Sequence, residues 1–148
     1  MIDKINEDLK CAMKEKDAFK LSVLRMLKSA LQLDKIAKKH ELSDEETIAV
    51  IKKQVKLRKD SLEEYKKYNK EESIKDLEKE ITILSSYLPE ELSEEKINEI
   101  IFNVLTEIKP KGIKDMGIVM KNVNLQLAGK NADMSLVSKI VKEKLNNL

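Results

Sequence analysis

Apolar residues recur at intervals of three and four along almost the whole chain, the spacing that one buried face of an α-helix imposes. Ile5, Leu9 and Ala12 with Met13 form a first, short stripe. Asp17 then offers a cap for a second helix, in which Leu24, Leu27 and Leu31 interleave with Val23, Met26, Ala30 and Leu33. A helix apolar around this much of its circumference is predicted at the centre of a bundle. The segment Ser43-Asp44-Glu45-Glu46 has the form of a capping box. Its three carboxylates also suit the positive end of the helix dipole. Behind it Ile48, Ile51, Val55, Leu62 and Tyr65 make a narrow stripe, repeated after a polar break near Asn69 by Ile74, Leu77, Ile81, Leu84 and Leu88. Two narrow stripes in succession predict a long antiparallel hairpin seamed like a coiled coil. Glu63 with Lys67 and Glu71 with Lys75 are placed to support it at i,i+4.

The clearest boundary is Leu88-Pro89-Glu90-Glu91-Leu92-Ser93. Pro89 stops one helix, and Ser93 with Glu94 and Glu95 opens the next. Ile97, Ile100, Ile101, Val104, Leu105 and Ile108 are its apolar face, and Pro110-Lys111-Gly112 ends it. A further helix from about Lys114 or Asp115 turns Met116, Val119, Met120 and Val123 inward. The loop Ala128–Asp133 then delivers a last helix with Leu136, Val137, Ile140, Val141 and Leu145. No stretch alternates as a strand would. The expected fold is all-α, with a four-helix N-terminal domain over residues 1–88 and a three-helix domain over residues 93–148.

Composition sharpens this picture. All three glycines, Gly112, Gly117 and Gly129, fall in the last third of the 148 residues, so left-handed backbone is expected only there. The 29 basic and 27 acidic side chains nearly cancel, and residues 93–148, with nine basic and seven acidic, hold the whole excess of +2. No apolar run approaches the length of a bilayer span, so no membrane role is expected. Cys11 is the single cysteine, excluding an internal disulfide; its expected place is the apolar side of the first helix. The N-terminus does not read as a secretory signal, and a cytoplasmic location is expected.

The inventory of reactive groups is thin. His40, the one imidazole, sits in the polar connector Lys38-Lys39-His40-Glu41, far in sequence from Cys11, so neither a metal site nor a nucleophile–histidine pair is expected. Gly129-Lys130 lacks the glycine and the Ser/Thr of a phosphate loop. Capping and dipole effects account for the carboxylate pairs Glu90-Glu91 and Glu94-Glu95. No catalytic residue and no cofactor site are assigned.

Arginine usage is more informative. Arg25 and Arg58 are the only arginines among 29 basic residues. Where lysine is the default, a retained arginine suggests a planar fork for a carboxylate or phosphate. Arg25 suits an ion pair with Asp60 or Glu64, or contact with a ligand or partner. Gly117, within a helical pattern, implies close approach of another backbone, from internal packing or from something docked. Lys114, Lys121, Lys130 and Lys139 lie in the same unit and are the candidate phosphate contacts, although no aromatic side chain interleaves them for base stacking.

Together, five stretches resemble the YqeY-like (GatB/YqeY) family: Val23-Leu24-Arg25-Met26-Leu27-Lys28-Ser29-Ala30; Leu57-Arg58-Lys59-Asp60-Ser61; Leu88-Pro89-Glu90-Glu91-Leu92-Ser93; Asp115-Met116-Gly117 with Val119-Met120; and Ala132-Asp133 with Val137 and Val141. The resemblance implies two helical domains, the second related to the C-terminal tail of glutamine-dependent tRNA amidotransferase, which grips tRNA while chemistry proceeds elsewhere in that enzyme. On that basis residues 93–148 are expected to face tRNA. A carbon–nitrogen ligase label would be inherited from the larger enzyme. Ile118 stands where the family commonly has lysine, and Met134 where it commonly has glycine, both on the surface assigned to RNA. The alternative expectation is a helical adaptor that binds protein through the Ile48–Tyr65 stripe of the hairpin or a face of the C-terminal unit.

Overall fold

Polar residues at the predicted starts become helix caps. In the computed structural model, which describes every residue from Met1 to Leu148, the Asp17 carboxylate accepts from Lys20 N (3.1 Å). Ser43 Oγ accepts from Glu46 N (3.2 Å), while Glu46 Oε1 accepts from Ser43 N (3.1 Å), closing the capping box. That backbone donor holds the Glu46 carboxyl below its ordinary range. Ser93 and Asp133 cap the later helices in the same way. Seven α-helices result: α1 Ile2–Lys14, α2 Ala18–Lys38, α3 Asp44–Lys67, α4 Glu71–Ser85, α5 Glu94–Ile108, α6 Met116–Leu127 and α7 Met134–Asn146. A 3-10 turn, Ile113–Asp115, leads into α6. There are no strands, and the fold is all-α. No helix is long and apolar enough to cross a membrane.

The chain divides into two compact units, Met1–Leu88 and Pro89–Leu148. In the first, Ile5 from α1, Val23, Leu24, Leu27 and Leu31 from α2, Ile51 and Val55 from α3, and Leu84 with Tyr87 at the end of α4 form one buried cluster. The Tyr87 hydroxyl donates to Asp8 Oδ2 (2.5 Å), joining the α4 end to α1. Burial, reinforced by that carboxylate, pushes the phenol well above its ordinary pKa, so it remains a donor. In the second unit Ile97, Ile101 and Val104 of α5 pack with Val119, Val123 and Leu127 of α6 and Val137, Ile140, Val141 and Leu145 of α7. Asn131 fastens the α6–α7 loop to the segment before α5: its carbonyl accepts from Leu92 N (2.7 Å) and its side-chain amide donates to Pro89 O (3.1 Å).

Three expectations are corrected. Cys11 is exposed. At 3.6 residues per turn it lies about 120° around α1 from Ile5, off the stripe that Ile5 and Ala12 bury. The i,i+4 pairs Glu63–Lys67 and Glu71–Lys75 are not among the closed ion pairs, as exposed flexible side chains gain little by pairing. Left-handed backbone is not confined to the last third, since Lys16, Lys39 and Asn69 have φ between 53° and 60°, nor to glycine there, since Lys109 has φ 53°. At Lys39 the N–H turns back to Lys35 O (2.9 Å) and Ile36 O (3.3 Å), closing α2 where glycine is the usual residue. The side chain there bears the steric cost of left-handed backbone, about 1–2 kcal/mol, partly offset because lysine has less freedom to lose than glycine on folding. Lys39→Gly is therefore expected to raise unfolding stability by up to about 1 kcal/mol, read as a higher urea midpoint at unchanged m-value. Lys39→Val should lower it.

The hairpin forms, with α3 and α4 packed side by side, but its seam is not uniformly apolar. Ile48, Ile51 and Val55 are buried near its base, Arg58 is buried midway, and Leu62, Tyr65, Ile74 and Leu77 towards the tip are only half-buried. The outer side of α2 also departs from the expected central position. Met26 is 51%, Leu33 69% and Ile36 63% exposed, so this helix is buried along one stripe only.

Candidate nucleic-acid interface and the two arginines

The four candidate lysines lie on separate pieces of the C-terminal unit. Lys114 is in the 3-10 turn, Lys121 on α6, Lys130 in the α6–α7 loop and Lys139 on α7, and all four side chains are exposed. Their exposure follows from the stripes that fold the unit. Lys121 falls between inward Val119 and Val123, and Lys139 between Val137 and Ile140, so each is directed outward when its neighbours are buried. Gly117 and Lys121 are four apart and share one side of α6.

Gly117 is not a point of close internal packing, which corrects half of the sequence expectation. A Cβ built there would meet no other atom within 4 Å, so the first turn of α6 is open to solvent on that side. Asp115, at the N-cap, does not cap α6 with its side chain; Oδ2 instead accepts from Lys111 N (2.8 Å) and braces the preceding loop. The first amide of α6, Met116 N–H, is taken by Ile113 O of the 3-10 turn, so what the start of α6 offers is an exposed, side-chain-free position at Gly117 beside two lysines. Ile118, 56% exposed, and Met134, at the start of α7, lie on the surface as apolar groups.

Both arginines belong to the N-terminal unit. Arg58 is 7% exposed on α3. Its Nη1 donates to Gln54 O (3.1 Å) and Gln54 Oε1 (3.0 Å), Nε donates to Glu80 Oε1 on α4 (3.4 Å), and Nη2 contacts Met26 Sδ on α2 (3.9 Å). One planar group therefore ties three helices, which a lysine ammonium could not do with the same geometry. Arg25 does the reverse. It is exposed and takes part in none of the ion pairs, so the pairing with Asp60 or Glu64 does not form. It lines a shallow groove with Ser22, Met26, Ser29 and Leu33 of α2 and Gln54 of α3. The sequence singled out both arginines but gave no sign that they converge on one place.

The hairpin stripe offered for an adaptor role is largely internal, since Ile48, Ile51 and Val55 face the core at 7% exposure or less. Leu62 and Tyr65, at the outer end of the same stripe, are half-buried. No group of three or more His, Cys, Asp or Glu side chains is gathered to hold a metal ion. His40 sits in the α2–α3 connector with Nε2 3.6 Å from Glu46 Oε2, on the exposed rim of the capping box.

Against known proteins, the family described as Yqey-like protein matches residues 2–145. The chain belongs to that family. Among its relatives is the altered inheritance of mitochondria protein 41, mitochondrial, of Pyrenophora tritici-repentis, 25% identical over 97% of this chain and 80% of that protein. The proteins of the same name from Vanderwaltozyma polyspora and Lachancea thermotolerans are 28% and 33% identical, over 97% and 71% of this chain and 81% and 58% of their own lengths. These names overturn the cytoplasmic expectation, since all three relatives are called mitochondrial. That expectation rested on a lone thiol and an N-terminus unlike a secretory signal. Both features bear on secretion alone and do not separate one reducing interior from another.

Proposed function

We propose that this YqeY-family protein is a non-catalytic, tRNA-associated helical module whose C-terminal unit contacts the nucleic-acid backbone. The observation that carries the reading is the open first turn of α6, where Gly117 presents no side chain and no more distant part of the chain comes within 4 Å of the place a Cβ would take, with Lys114 and Lys121 exposed on either side of it in sequence. A side-chain-free stretch of helix lets a phosphate backbone come close, and the flanking ammonium groups attract it whatever the base sequence. The charge excess of residues 93–148 acts in the same direction. Taken over from the named relatives, a mitochondrial setting replaces the cytoplasmic one and supplies tRNA equally well.

The test is binding to bulk tRNA across a salt series. Three or four neutralised phosphates give a slope of log affinity on log salt of about −2 to −4. Replacing Lys114, Lys121, Lys130 and Lys139 together by alanine should flatten that slope and leave the helical melt unchanged. Ile118→Lys, which adds a cation one residue from Gly117, should steepen it by about one. Affinity indifferent to salt and to all of these substitutions overturns the reading.

A further inference from the structure

We propose that the outer face of α2 is a docking groove for an amphipathic α-helix of a partner protein, one that sets a carboxylate against Arg25. This stands apart from the tRNA reading, which concerns the other compact unit.

The starting point is burial the sequence asks for and the chain does not supply. Ser22, Met26, Ser29, Leu33 and Ile36 follow one another at spacings of four, three, four and three. They form a continuous stripe on the side of α2 opposite its buried Leu24, Leu27 and Leu31. Three members are large apolar side chains at least half exposed. The groove along this stripe runs from Ala18 to Leu33, about 22 Å at 1.5 Å per residue, the length of a four-turn helix. Ala18, Ser22, Ser29 and Ala30 are small, which allows a helix to approach closely between the larger Met26 and Leu33.

Charge identifies the occupant. Arg25 is the one charged residue lining the groove, and it forms no ion pair within the chain. A guanidinium set among apolar side chains recognises a carboxylate with a geometry and strength lysine lacks, and such arginines are typical anchors of protein interfaces. A second copy does not supply that carboxylate by pairing α2 with α2. The one acidic residue of this helix, Asp34, is half-buried and bound to Lys38 (2.9 Å). A nucleic acid would find a single cation on an apolar floor, too little for a polyanion.

The other arginine acts on the same place from beneath. Arg58 holds Gln54 and touches Met26, and both residues line the groove. The two arginines of a lysine-rich chain therefore serve one surface, Arg25 as the contact and Arg58 as the brace of its floor and wall.

The test places a photo-crosslinking amino acid at Ser29 of the full-length chain in cells, with Lys144 on α7 as the control position. Adducts are mapped by mass spectrometry. The expected adduct is a segment of a different protein with apolar residues at helical spacing and an acidic residue among them. Arg25→Glu should lower its yield at least tenfold, and replacing the partner's acidic residue by arginine should restore it in the Arg25→Glu background. Crosslinks to α2 of another copy, crosslinks to RNA, no adduct above the Lys144 control, or a yield indifferent to Arg25→Glu each overturn the proposal, as does failure of the charge swap to rescue. The same measurement from Ser22 covers any disturbance caused by substitution at Ser29.

Discussion

Leu24→Ala is expected to destabilise the N-terminal unit by about 3–4 kcal/mol, while Arg25→Ala, one residue along, should change stability by no more than about 0.5 kcal/mol. Leu24 is fully buried between α2 and its neighbours, so truncation removes apolar contacts and leaves a cavity that a close-packed helix cannot collapse around. Arg25 is exposed and has no ion-pair partner to lose. Urea unfolding followed by circular dichroism separates the two variants directly. The contrast is diagnostic because both residues belong to the same eight-residue stretch by which the chain resembles its family. If Arg25→Ala proves as costly as Leu24→Ala, the arginine is a structural residue and the docking groove loses its anchor.

Arg58→Ala is the second large effect, with an expected loss of about 2–3 kcal/mol. Removing one partner of a buried, hydrogen-bonded charge commonly costs 3–5 kcal/mol, and the lower figure applies here because the Glu80 side chain keeps 20% of its surface in water. Gln54 Oε1 and the Gln54 carbonyl would also lose donors. Arg58→Met should cost less than Arg58→Ala, since it fills the same space against Met26, and Arg58→Met with Glu80→Gln should approach wild-type stability. A double-mutant cycle over Arg58 and Glu80 measures the coupling. A cycle that sums to zero would mean that Arg58 stabilises without Glu80, through its bonds to Gln54 and the packing of its stem.

These residues also mark where the sequence was readable. Helix starts were legible at Asp17, Ser43 and Ser93 because a short polar side chain just before an apolar stripe has one good use, accepting from the first amides. Stripe spacing likewise located α5, α6 and α7 and their shared core. The left-handed lysines were not legible, since glycine is the signal for that conformation and the chain closes its helices without it. The exposure of Cys11 was within reach of the sequence, because its angular position on α1 can be counted from Ile5. For α2, periodicity predicts a helix buried nearly all round because it reports which side chains want burial and is silent on whether the same chain provides it. At the candidate interface, the outward lysines followed from their buried neighbours, whereas the open space beside Gly117 required coordinates.

The bonds of Asn131 to Leu92 and Pro89 have a practical bearing on how this protein is dissected. Residues 89–92 look like spacer in the amino-acid string, yet they are stitched to a loop about forty positions downstream. A fragment begun at Ser93 would discard both stitches and loosen the turn that presents Lys130. Cut instead before Pro89, the excised piece retains its own fastening, and any loss of ligand affinity it displays can be charged to the missing half and not to a frayed edge.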